Sequence, residues 1–109
     1  MINWQDFEKV DMRVGTVIKV EDFPEARNPA YKLIIDFGEL GIKKSSAQIT
    51  ELYKKKDLIN NQVIAVVNFP PKQITNFISE VLVLGVVGKN KGVVLLKPYQ
   101  KTENGLKIA

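Results

Sequence analysis

The chain has 109 residues, of which 45% are apolar and 26% charged, with a formal net charge of +4 and neither Cys nor His. That length suits a single domain, 1–109, whose modest core gains from oligomerisation. Without Cys there are no disulfides, thiolates or Cys-based zinc sites; without His the usual general base and the commonest metal ligand are missing, so no enzyme, metal site or cofactor is expected.

The start of the chain lacks the basic residues and apolar run of a signal peptide, and no apolar segment is long enough to span a membrane. A soluble, cytoplasmic protein without membrane insertion is expected. Charge is unevenly spread. Residues 1–39 hold five basic and eight acidic side chains, whereas residues 40–109 hold eleven and four. This asymmetry suits an anionic partner such as RNA. Fourteen of the sixteen basic residues are Lys, which favours loose phosphate attraction over the Arg-based forks that read bases.

In chain order, Asn3 is placed to cap a short helix with Trp4 and Phe7 on one face. From Met12 the period changes to two, which predicts a strand over 12–20, with a bend or bulge at Gly15. Pro24 and Pro29 set a loop over 22–30. A second strand is predicted over 31–37, ended near Gly38 and Gly41, and a third, polar one over 42–49. Thr50 is read as the cap of a short helix whose last turn carries Lys54, Lys55 and Lys56. After a turn at Asn60-Asn61 come a strand over 62–68, a loop over 69–79 and a strand over 80–87. A turn over 88–92 leads to a final strand, 93–96, and a mixed tail over 98–109.

Three strands, a short helix and two further strands is the order of an OB-fold: an all-β, five-stranded Greek-key barrel with a helix between strands 3 and 4. Short extensions precede and follow it. The ligand face of such a barrel is strands 2 and 3, flanked by the 1–2 and 4–5 loops, here 22–30 and 69–79. The second loop is distinctive. Asn68 and Phe69 run into Pro70-Pro71, which stiffen the exit from the strand. Phe69 and Phe77, with Lys72, then sit where burial does not obviously demand aromatics, the pattern of a recognition loop. A plainer reading folds either Phe back as a core plug. On the third strand Ser45-Ser46 beside Lys43-Lys44 suits hydrogen bonding to a peptide or a nucleic-acid backbone, or simply a wet outer face. No Walker loop, nucleophile elbow or His pair is present. Acidic clusters such as Glu21-Asp22-Glu25 read as solvated charge.

The stretch Asp-Phe-Glu-Lys-Val-Asp-Met-Arg-Val-Gly (6–15) resembles the opening of the tRNA-binding OB domains, found free-standing and appended to methionyl-tRNA synthetases. Pro24-Glu25-Ala26, Asp36-Phe37-Gly38, Asn68-Phe69-Pro70-Pro71-Lys72 and Ser79-Glu80 fall where that family has related motifs. Pro70 replaces a family Lys, Gln73 stands where a second basic residue is common, and Val81-Leu82 replaces Gly-Met. With these departures, the runs 45–50, 63–71 and 79–85 resemble the CsaA-type export chaperones. That resemblance implies a homodimeric bacterial chaperone for unfolded or preprotein segments, cooperating with the Sec export machinery. The rival from another class is a structure-specific tRNA-binding protein using the same face.

On the first reading an apolar segment lies near Phe69, Pro71 and Phe77. Ser46, Gln48 and Asn68 hydrogen-bond its backbone, Lys32, Lys44 and Lys72 favour acidic ligands, and Ser79 completes the set. On the second, the same three Lys contact phosphates. Apolar residues left over at both ends, Ile2, Trp4 and Phe7 with Tyr99, Leu106 and Ile108, are the expected dimer interface, since a soluble monomer avoids such patches. Their alternative is to fold back on their own barrel.

Overall fold

The computed structural model describes residues 1–90 and 92–109; Lys91, in the predicted 88–92 turn, lies outside the described residues. Helix α1, Trp4–Glu8, opens with reciprocal caps: the Asn3 side chain accepts from the Asp6 N–H at 2.9 Å, and the Asp6 carboxylate accepts from the Asn3 N–H at 3.1 Å. Two satisfied donors explain why so short a helix forms at all. Strands β1 (Met12–Asp22), β2 (Tyr31–Asp36) and β3 (Ile42–Ala47) follow, then α2 (Lys55–Leu58) and β4 (Gln62–Val66). The hairpin β5 (Lys72–Ile74) and β6 (Phe77–Ser79) precedes β7 (Leu82–Val83), β8 (Gly85–Val87) and β9 (Val93–Leu95).

The main sheet has the order β3-β2-β1-β4-β7 and curls into a nearly closed antiparallel barrel, as the OB-fold reading expects. Its inward alternation sets the core. Val17, Leu33, Ile35, Phe37, Val63 and Ala65 are fully buried, and Ile49 and Leu58 belong to the same buried cluster. A smaller cluster of Phe23, Ala30 and Phe77 lies under the 1–2 and 4–5 loops.

Several expectations need correction. The bulge in β1 falls between Val17 and Lys19, not at Gly15. Gly15 is instead a point of close approach: a Cβ there would lie 2.6 Å from the Ile35 side chain and 2.7 Å from the Phe37 ring. The helix after β3 starts at Lys55, so Thr50 is not its cap. The Lys triplet therefore sits at its beginning rather than its end. Asp57 decides this by reaching back to the Lys54 N–H at 2.9 Å; Lys55, paired with Asp22 at 2.8 Å, has its ammonium pKa raised by that contact. The 69–79 loop contains the β5–β6 hairpin, turned at Thr75 with φ +51. The strand expected over 80–87 is two short ones, because at Leu84 pairing passes from β4 to the β9 side.

The tail is zipped along the free side of the first half of β1. Gly105 N–H donates to Val14 O at 2.7 Å, Val14 N–H to Leu106 O at 3.1 Å and Ile108 N–H to Met12 O at 2.9 Å. Arg13 grips it by donating to Gly105 O at 3.0 Å, while a two-point contact with Asp11 (2.6 and 3.2 Å) fixes the guanidinium. That contact holds the Asp11 carboxyl below its ordinary value.

Candidate functional site: an open seam in the barrel wall

β3 and β7 are the two edges of the main sheet. Every neighbouring pair between them is antiparallel, so four reversals leave β3 and β7 running the same way. The segment just before β7 joins β3 through a main-chain bond, Glu80 N–H to Lys44 O at 2.8 Å. Side chains do the rest. The Glu80 carboxylate accepts from Lys44 N–H (3.1 Å), the Ser79 hydroxyl accepts from Ser46 N–H (3.0 Å), and the buried Ser45 hydroxyl donates to Val81 O (3.0 Å). Beyond that point the strands part, and a groove of about 580 Å³ opens between them.

One wall of the groove is Ser46, Ala47, Gln48 and Ile49; the other is Leu82 and Val83. Phe69 and Pro70 overhang it, the hairpin contributes Lys72, Ile74 and Ser79, and Val93 contributes from β9. Phe69 is 54% exposed and Leu82 49%, a large apolar area for a surface concavity.

Of the sequence-predicted set, Ser46, Gln48, Phe69, Lys72 and Ser79 line this groove. Pro70 lines it where Pro71 was expected. Asn68 is spent elsewhere: its side chain accepts from Asp11 N–H (3.0 Å) and donates to Lys9 O (2.7 Å), tying the strand exit to the end of α1. Phe77 is 8% exposed and packs edge-on against Phe23, ring centroids 5.5 Å apart. Lys32 and Lys44 lie beside these rings rather than in the groove. The Lys32 ammonium is 4.8 Å from the Phe23 centroid and 5.5 Å from that of Phe77; Lys44 is 5.4 Å from Phe77. Such contacts hold cations over aromatic faces.

The two flanking loops are clasped together. Beyond the Phe23–Phe77 pair, the Asn76 amide donates to the Glu25 carboxylate at 3.2 Å. The Glu25 pKa is lowered, first by its own backbone N–H, then by Asn76, with the Lys32 charge adding to them. Ile49, Ile74, Leu82, Val83 and Val93 were not foreseen as lining residues. Ile49, Leu82, Val83 and Val93 are ordinary strand positions in the sequence and Ile74 an ordinary loop position, and it is the parting of β3 and β7 that brings them to one groove.

At the chain ends, Ile2, Trp4 and Phe7 frame a shallow concavity of about 410 Å³ with Ala109. Leu106 and Ile108 lie on the tail strand beside β1. Tyr99 lines a different, polar concavity with Asn60, Gln62, Lys97 and Lys101. Among the described residues no group of three Asp or Glu side chains is placed to hold a metal, and no helix is long and apolar enough to cross a membrane.

A small, nearly closed five-stranded antiparallel barrel with a short helix between its third and fourth strands defines an OB-fold domain, and the groove beside it is lined from the 69–79 loop and not from the 22–30 loop. The family model described as "Putative tRNA binding domain" matches residues 12–107. A crystal structure of chaperone CsaA from Bacillus anthracis superposes with a TM-score of 0.95 at 57% identity, covering 100% of this chain and 99% of that one. The CsaA chaperone protein from Picrophilus torridus gives 0.94 at 61%, covering 100% of both. The methionine–tRNA ligase of Nanoarchaeum equitans is 36% identical over 110 residues, which are 99% of this chain and 14% of that protein. The chain thus belongs to the tRNA-binding domain family, in its CsaA-type branch.

Proposed function

We propose that the chain is a non-enzymatic, cytoplasmic chaperone that works as a homodimer. It holds apolar segments of unfolded polypeptides or preproteins in the seam groove and serves Sec-linked export. The observation that carries this reading is the groove itself, apolar, open and overhung by the exposed Phe69. The likeness to two structures described as CsaA chaperones supports it. Burying Phe69 and Leu82 under a client removes apolar area from water, the main source of affinity for an unfolded chain. Lys72 at the rim, with Lys32 and Lys44 nearby, favours clients that are acidic or poor in basic groups.

A specific observation favours a second reading, tRNA binding. Lys32 and Lys44 stand over aromatic rings on the ligand face of a domain whose family match is to tRNA binding. Salt separates the two. Phosphate contacts release counterions, so RNA affinity falls steeply with salt, by about 0.9 in the log–log slope per contact on duplex regions. Apolar client binding does not. The test compares a denatured client with unmodified tRNA across a salt series. Client binding that persists at high salt supports the chaperone reading. If instead only tRNA binds, and Lys32→Ala, Lys44→Ala or Lys72→Ala each reduces the slope, the second reading stands.

A further inference from the structure

We infer that the groove recognises its ligand by strand addition: an extended polypeptide segment enters the seam between β3 and β7 and continues it with main-chain hydrogen bonds. This rests on the polypeptide reading above and adds the mode of recognition.

The argument is one of alternation. On β3, Lys44 O and Ser46 N–H both point into the seam, where Glu80 N–H and the Ser79 hydroxyl meet them. Peptide groups alternate sides along a strand with period two; Gln48 follows directly after the end of β3, and the same alternation carried one residue past that end sets its peptide groups to the seam. On the opposite edge, Leu84 N–H donates to Ile64 O on β4. Val83, one residue earlier, therefore turns its peptide groups away from β4 and towards β3, as Val81 does when its carbonyl accepts from Ser45. Gln48 and Val83 both line the groove, and among the described residues no main-chain rung joins them. Two parted edges with inward-facing N–H and C=O groups are a template for a third strand.

The side chains fit such an occupant. An extended ligand presents alternate residues to opposite faces, and one set meets Ile49, Ile74, Val83 and Val93. Charge sets its chemistry at one end. The Glu80 carboxylate is engaged by Lys44 N–H, whereas Lys72 takes part in no ion pair among the described residues. A carboxylate on the ligand complements it. The ligand class is thus an extended segment, apolar at every second position, with an acidic residue at one end. A nucleic acid offers neither the amides nor the alternating apolar groups.

The test uses the full chain and a dye-labelled, end-capped octapeptide of alternating Leu and Ser with Glu at one end, read by fluorescence anisotropy. Single N-methylation along the peptide removes one N–H at a time. Strand addition predicts affinity losses of about ten-fold at every second amide and little change at the others. It also predicts that hydrogen exchange at the Gln48 and Val83 amides slows when peptide is added. A peptide that binds with every N-methyl analogue tolerated and no protection at those amides overturns strand addition and leaves the polypeptide reading standing. If the octapeptide and denatured clients fail to bind while tRNA binds, the polypeptide reading itself falls, and this inference with it.

Discussion

Phe69 and Phe77 look alike in the sequence, and their substitution by Ala should separate them. Phe77 is 8% exposed, packed on Phe23, Ala30 and Ile74, and covered by two Lys side chains. Truncating a buried Phe costs about 3–5 kcal/mol, and an edge-to-face pair is worth about 0.5–1.5 kcal/mol beyond its buried area. The cluster lies near the surface and is small, so the cavity collapses or floods more easily than one in the main core. We therefore expect the low end, about 3 kcal/mol. With a urea m-value of roughly 2 kcal/mol/M, Phe77→Ala lowers the unfolding midpoint by about 1.5 M. The half-exposed Phe69 should cost no more than about 0.5 kcal/mol when changed to Ala. Its loss should appear instead in client binding, measured by suppression of aggregation of a denatured substrate. The reasoning is refuted if the two variants lower the midpoint equally. It fails too if Phe69→Ala, still folded, protects the client as well as the parent does.

Three further outcomes are expected. Gly15→Ala places a methyl within 2.6 Å of Ile35 and 2.7 Å of Phe37, and overpacking of this kind should cost about 1–3 kcal/mol in denaturant melts. The Asp11 carboxyl is held below its ordinary value of 3.8, chiefly by the hydrogen bond from Arg13. Its stabilisation is therefore complete above pH 3.8 and is lost as the pH falls through the lower folded-state value, so the stability gap between the parent and Asp11→Asn, measured by chemical unfolding, should close in acid. Removing residues 98–109 strips three main-chain hydrogen bonds from β1 and the Arg13 clamp, and should yield a less stable chain. On the proposed dimer the truncated chain is monomeric by light scattering, and one that stays dimeric at low micromolar concentration excludes the tail from that interface.

The barrel was legible because its signals are local. Period-two alternation marks β1, β2 and β3, Asn3 marks α1, and the helix before β4 fixes the OB order. What escaped notice depends on partners distant in the chain. The bulge near Ile18 is invisible in the alternation, while Gly15 is explained only by Ile35 and Phe37 across the sheet. Asp57, reaching back to Lys54, outcompeted Thr50 as the organiser of α2. In the candidate site, the polar and aromatic residues stood out by type. The apolar walls did not, since Leu82 and Val83 are unremarkable until β7 parts from β3. Asn68 shows the reverse: its amide suits ligand binding, yet the Lys9 carbonyl and Asp11 N–H occupy both of its ends.

The riveting of the barrel by side chains sets its seam apart from its other joins. Main-chain rungs are available to nearly any residue, so the pairings of β1, β2 and β4 tolerate exchange at outward positions. The junction of β3 with residues 79–81 relies on Ser45, Ser79 and Glu80 for three of its four hydrogen bonds. Its strength is therefore open to adjustment one substitution at a time. Ser45→Ala leaves the Val81 carbonyl without its partner in a buried setting, while every ladder of the main sheet keeps its main-chain bonds. Because Ser45 is fully buried, the residue that fastens the seam beside the groove is also one on which the stability of the barrel depends, so a change there acts on both at once.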